Sequence, residues 1–162
     1  MKNFKSYALT GAIFALIILG LFLLTRGSKS ENSTSSSGTL QSSERTYDFG
    51  TVSMAKGKVA HAFDVRNAGS DPVVASKLYT SCMCTQASLS VGGKTDGPFG
   101  MIGHGFVPTF ETLIQPGQAA KIEAVFDPAA HGPSGIGRIE RTVTLETSSG
   151  SLQLNIKASV VP

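Results

Sequence analysis

The chain has 162 residues, enough for one domain and a targeting segment but too few for two ordinary domains. Its net charge of +3 comes from the first 45 residues, where five Lys or Arg face only Glu31 and Glu44; from Thr46 to Pro162 nine Lys or Arg balance nine Asp or Glu. A neutral domain with no Lys/Arg run and no Trp lacks the electrostatic footprint of a nucleic-acid binder, so that class of partner is excluded.

Residues 1–6 read as a short cytoplasmic tail. Tyr7 to Thr25 is an uncharged run of 19 residues, which as a helix rising about 1.5 Å per residue just crosses a hydrocarbon core of about 30 Å. A cleaved signal peptide is the competing reading. Its apolar core is typically about 7–15 residues and ends in a small-x-small pattern, whereas this run is longer and ends in Leu23-Leu24-Thr25-Arg26 with no cysteine after it. The expected arrangement is therefore a single-pass signal anchor, N-terminus inside, with the C-terminal domain extracytoplasmic, at the cell surface or in a periplasm. Residues 26–45 are rich in serine and poor in anything to bury, and predict a flexible linker.

Beyond Arg45 the apolar residues alternate. Val59, Phe63 and Val65 share one face with His61 among them; Ile122, Ala124 and Phe126 repeat the pattern; Ile139, Val143 and Leu145 do so with Arg141 interrupting. Leu152, Leu154, Ile156, Ala158 and Val160 give the cleanest case. Period-two alternation marks strands with one buried face, and turn residues at Asn67–Pro72, Pro116-Gly117, Asp127-Pro128 and Ser148–Gly150 separate them. No segment after the anchor has a helical period over ten residues. The fold class predicted is all-β, an antiparallel sandwich over 46–162 behind one N-terminal transmembrane helix. Residues 88–113 fit poorly, with six glycines and two prolines. Phe99, Met101, Ile102, Phe106 and Phe110 suggest an inserted loop that packs back onto the sandwich.

Taken in order, Tyr47-Asp48-Phe49-Gly50-Thr51-Val52, Val59-x-His61-x-Phe63, Asn67-Ala68-Gly69, Ser81-Cys82-x-Cys84-Thr85, Ile114-x-Pro116-Gly117 and Val125-Phe126-Asp127 resemble the domain of unknown function 1573 family. The resemblance runs from about Tyr47 to Val160. It implies an immunoglobulin-like, extracytoplasmic module and no particular activity; the glycine-rich insertion between Cys84 and Ile114 departs from it.

Cys82-Met83-Cys84 holds the two cysteines of the chain. Three readings stand side by side. The first is a pair of structural thiols or a local disulfide, hindered because Cα atoms two apart on an extended strand lie near the limit of about 7 Å for bridging. The second is thiol–disulfide exchange, against which the sequence shows no adjacent cationic group. The third is a soft-metal site for Cu(I), with Cys82 and Cys84 joined by Met101 and His104 from the glycine-rich loop. Met83 would point the other way. His61 reads as a hydrogen-bonded core histidine. His131 reads as a solvated turn residue that joins a site only if its loop reaches the cysteine end. There is no G-x-S-x-G, H-E-x-x-H, P-loop or helix-opening G-x-G-x-x-G, so an enzyme is not expected. The expected function is a membrane-tethered binding module taking copper or another soft ion through Cys82, Cys84, Met101 and His104. The alternatives are a metal-free structural or protein-interaction sandwich, docking a protein partner through an edge strand or the apolar loop, and a redox thiol pair.

Overall fold

The computed structural model describes residues 39–103 and 105–162. The expected tail, the anchor helix at 7–25 and most of the linker lie outside those residues; among the described residues no helix is long and apolar enough to cross a membrane. They form an all-β domain of ten strands: β1 (Leu40–Ser42), β2 (Thr46–Ser53), β3 (Val59–Asn67), β4 (Val73–Thr80), β5 (Thr85–Val91), β6 (Lys94–Phe99), β7 (Thr112–Ile114), β8 (Ala119–Phe126), β9 (Gly137–Thr147) and β10 (Gly150–Val161). One sheet has the order β1-β3-β8-β5-β6 and the other β2-β10-β9-β4-β7.

The alternation in the sequence sets this architecture. On β10 the residues 152, 154, 156, 158 and 160 are all buried, and on β8 so are 120, 122, 124 and 126. Facing rows from the two sheets make one core, in which Phe63, Leu78, Leu89, Ile122, Leu145 and Leu154 are fully enclosed. Phe63 alone removes enough apolar surface to be worth about 1.5–3 kcal/mol over leaving it in water. β9 and β10 pair antiparallel from Gly137↔Val160 to Thr147↔Gly150. Asn67 is buried at the end of β3, where its amide donates to the carbonyls of Asp71 (2.8 Å) and Ile114 (3.0 Å) and accepts from the Gly69 N–H (3.0 Å). It thereby supplies partners for three main-chain groups where strands turn.

Three features differ from the sequence reading. The sandwich is mixed, not purely antiparallel, because β2 runs parallel to β10. The domain starts inside the segment expected to be linker: β1 pairs with β3, and Leu40 is 2% exposed. Glu44, also in that segment, accepts from His61 Nε2–H at 2.8 Å through its carboxylate, and His61 stacks on Tyr47 with ring centroids 3.6 Å apart. His61 is thus hydrogen-bonded as expected, but partly buried at the edge of the core, not within it. Lastly, the insertion 88–113 is ordered in part as strand. Val91-Gly92-Gly93-Lys94 is a two-residue hairpin turn with φ of +58° and +86° at its glycines, joining β5 to β6. Gly97 on β6 must lack a Cβ, which would lie 2.9 Å from the Ala87 carbonyl oxygen. The loop folds back only in part: Phe99, at the end of β6, and Phe110 stack at 5.2 Å against the core and the Phe110 N–H donates to Ser76 O, but Ile102 and Phe106, also expected to pack, are exposed.

If β1 is part of the domain, Leu40→Ala should lower the free energy of unfolding by about 2–5 kcal/mol, measured by denaturant titration of the full-length chain. A linker residue at that position would change it by no more than a few tenths.

Candidate functional site

β4 ends in one sheet and β5 begins in the other, so residues 81–84 carry the chain across the sandwich. Their main chain is tied at Ser81, Cys82 and Cys84. The Ser81 N–H donates to Thr142 O on β9 and the Ser81 hydroxyl accepts from the Thr142 N–H, both at 2.9 Å. The Thr85 N–H closes a turn onto Cys82 O (3.1 Å), and the Asp127 N–H, just past β8, donates to Cys84 O (2.8 Å). The buried Thr80 hydroxyl lies 3.0 Å from Cys82 O and 2.9 Å from Thr85 O. The cysteines therefore sit on a turn, not on the extended strand assumed from sequence, and the spacing argument against bringing their sulfurs together does not hold.

The sulfurs are 2.6 Å apart, with the Cys84 thiol donating to Cys82 Sγ. Cys84 is 2% exposed and Cys82 partly exposed; neither is in a disulfide. The loop after β8 adds a third donor. Asp127 accepts from the Ala129 N–H through its carboxylate (2.9 Å), a 3-10 turn spans Gly132–Gly135, and the Ser134 hydroxyl donates to His131 O (2.6 Å). A Cβ at Gly135 would meet His131 Cβ at 3.2 Å, so glycine gives the histidine its room. His131 Nε2 lies 3.2 Å from Cys82 Sγ. The two sulfurs and an imidazole nitrogen of His131 all fall within 4.8 Å of one another.

A cation completes the cluster. Arg141 Nε donates to Cys84 Sγ at 3.3 Å, and its Nη1 donates to Glu140 O at 2.9 Å. This overturns the expectation that no cationic group adjoins the thiols. Burial pushes the Cys82 thiol up, but hydrogen bonds from the Cys84 thiol and N–H and from His131, together with the Arg141 charge, outweigh it and bring Cys82 down to about 7. Burial, then the hydrogen bond to Cys82, pushes Cys84 up. The more accessible sulfur is thus the more readily ionised of the two.

Of the ligands expected from sequence, the structure brings Cys82 and Cys84 together. Met101 pairs through its main chain with Thr80, whose N–H donates to Gly100 O, placing that residue at the same end of the sandwich. His104 lies outside the described residues. The condition set for His131 is met, since its loop reaches the cysteines, against its reading as a solvated turn residue; the residue that sequence reasoning passed over is Arg141. The signal for Arg141 was visible: it stands at an inward position in the alternation Ile139, Arg141, Val143, where a charge needs a counter-charge. Nothing local in the sequence around His131 ties it to Cys82.

With this geometry in hand, comparison with known proteins bears on the fold. The family model described as protein of unknown function (DUF1573) matches residues 40–102, which include both cysteines and the new β1. No curated protein sequence gives a significant match. Among solved structures, a protein of unknown function from Porphyromonas gingivalis W83 aligns with a TM-score of 0.55 at 17% identity, over 76% of this chain and 47% of that one, so the chain spans about half of that protein's length. A family 123 glycoside hydrolase from Clostridium perfringens aligns at 0.50 and 9% identity, over 72% of this chain and 23% of that one. A PapD-like domain of human CEP192 aligns at 0.47 and 12%, over 77% and 87%. At such identities the likeness is one of fold alone.

The thiolate assignment predicts that alkylation of Cys82 in the reduced, metal-free full-length chain rises with pH through a midpoint of about 7, with Cys84 lagging. Below that pH Cys82 is protonated and slow. Arg141→Leu should move the midpoint upward, and a wild-type midpoint near the ordinary 9.0 would show that the surrounding donors do not act on it.

Proposed function

We propose that this chain is a membrane-tethered, extracytoplasmic binding module and that its centre, Cys82, Cys84 and His131, holds a soft monovalent metal ion, Cu(I). The observation that carries the reading is the convergence of two sulfurs and one imidazole nitrogen within 4.8 Å. Thiolates select Cu(I), and imidazole suits it as well. Metal–donor bonds of about 2.0–2.3 Å would require the sulfurs to open from 2.6 Å, a movement within reach of side-chain rotation.

Charge supports a monovalent ion. Two thiolates bring −2, Arg141 brings +1 and a neutral imidazole brings nothing, so the half-buried cluster is left at −1. A monovalent cation neutralises it; a divalent one leaves a net positive charge in a partly desolvated place, which is costly. In this reading Met101, whose main chain bridges to Thr80, supplies a further thioether donor. The N-terminal apolar run 7–25 supplies the tether in this reading.

A second reading, a protein-interaction sandwich that takes no metal, is favoured by one specific feature. Met83 (52% exposed) and Ile136 (48%) stand on the two segments that carry the site.

The two readings separate in a Cu(I) titration of the reduced full-length chain against a competing chelator. Metal binding predicts a 1:1 complex that Cys82→Ser/Cys84→Ser abolishes and that His131→Ala weakens by about tenfold or more, the loss of roughly 1.4 kcal/mol. Absence of binding to the wild-type chain would leave the protein-interaction reading standing.

A further inference from the structure

The same two sulfurs are placed for a second chemistry that does not depend on a metal. At 2.6 Å they need only side-chain movement to close a bond of about 2.05 Å. The main chain between them is already held by the bonds from Thr85 N–H to Cys82 O and from Asp127 N–H to Cys84 O. Their surroundings are unequal. Cys82 is reachable from solvent and faces His131 Nε2; Cys84 is 2% exposed and faces the Arg141 guanidinium. In thiol–disulfide exchange the incoming thiolate takes the accessible sulfur, and the other sulfur leaves as a thiolate, faster when that thiolate is stabilised. A guanidinium at 3.3 Å from the buried sulfur is in the place where such a leaving thiolate forms. Stabilising the reduced pair is also what makes a bridge an oxidising one. Exposed apolar side chains stand on the segments that build the site: Met83 between the cysteines, Ile136 at the end of the His131 loop, and Ile102 next to the residue paired with Thr80.

We infer that the Cys82–Cys84-bridged form of this domain donates its disulfide to a dithiol in a polypeptide. A thiolate of the polypeptide attacks Cys82 Sγ. The Cys82–Cys84 bond breaks, a mixed disulfide forms at Cys82, and Cys84 leaves as a thiolate beside Arg141. The polypeptide's second thiolate then attacks its own sulfur in that mixed disulfide, and Cys82 leaves as a thiolate beside His131. The polypeptide has lost two electrons and gained a disulfide; Cys82 and Cys84 have gained the two electrons and take up the two protons. A low-molecular-weight disulfide restores the bridge and is itself reduced to two thiols.

The test is made on the full-length chain with a chelator present, so that its outcome is independent of metal binding. Oxidised glutathione should convert the reduced chain to an intramolecular bridge, seen by mass as the loss of two hydrogens. An equimolar reduced peptide carrying two cysteines should then become a cyclic disulfide while the chain returns to the dithiol. Arg141→Leu should slow that transfer about tenfold, with partial rescue in Arg141→Lys. Cys84→Ala, loaded as a mixed glutathione disulfide at Cys82, should exchange with a peptide carrying a single cysteine and accumulate the covalent peptide adduct at Cys82, since no second thiol is there to release it. Cys84→Ser serves the same purpose with a polar atom in the buried place. The inference is overturned if oxidation yields two glutathione adducts in place of the bridge, if the bridged chain leaves the peptide reduced, or if Arg141→Leu transfers at the wild-type rate. A chain that binds Cu(I) yet leaves the peptide reduced would sink this inference alone; one that oxidises the peptide yet takes no Cu(I) would sink only the metal reading.

Discussion

A chain that crosses from one sheet of a sandwich to the other leaves the hydrogen-bond ladders of both, and its main-chain groups must find partners elsewhere or be buried without them. In this domain residues 81–84 make that crossing, and every partner they find is fixed: Thr142 on β9 for Ser81, the Thr80 hydroxyl and Thr85 N–H for Cys82 O, and the Asp127 N–H for Cys84 O. Those bonds bring together strands of both sheets and the loop after β8. The positions of Cys82, Cys84 and His131 follow from them, because each side chain hangs from a segment that the crossing pins. The chemistry of the site is thus a consequence of how the sandwich closes.

Arg141 couples that closure to charge. It occupies an inward position on β9, between Ile139 and Val143, where a guanidinium partly withdrawn from water needs an anion nearby. The nearest groups able to supply one are the cysteines. Burial pushes the Cys84 thiol up, while hydrogen bonds from Cys84 and His131 and the Arg141 charge draw the Cys82 thiol down, so Cys82 is the more readily ionised of the two. The arrangement divides two similar residues into a reactive sulfur and a supporting one. Sequence adjacency alone would give no reason for that division.

The strands were legible because their signal is periodic and local. The rows 152–160 and 120–126 read as buried faces and are buried. β5 was hidden because its buried row is Thr85, Ala87, Leu89 and Val91, half of it small or polar, and because the glycines that follow look like loop although Gly92-Gly93 makes a hairpin turn. β1 was hidden by its serine-rich surroundings; three residues with one buried leucine make no period at all. The parallel pairing of β2 with β10 joins residues more than a hundred positions apart, which no local pattern reveals. At the site, the Cys-x-Cys pair announced itself, whereas His131 depends on a loop conformation and on the long-range packing of β5 against β8. Arg141 lay between these cases: its break in the alternation was noticed, but the anion it answered could be named only once β4 and β9 were seen side by side.

The proposed metal binding and the inferred disulfide donation would draw on the same two sulfurs, so they would not be independent. A bridged pair has no thiolate to offer an ion, and an ion held by both thiolates keeps them from bonding to each other. By linkage, each state stabilises itself against the other by the free energy with which it is occupied. An ion bound a hundredfold above its dissociation constant would lower the tendency to oxidise by about 2.7 kcal/mol, which for a two-electron couple is a shift of about 60 mV. Arg141 acts on both sides of this balance in the same direction, since it favours thiolates whether they are about to hold an ion or have just left a disulfide. Under both proposals, that shared dependence would make the arginine, not either cysteine, the residue that sets how the two chemistries compete.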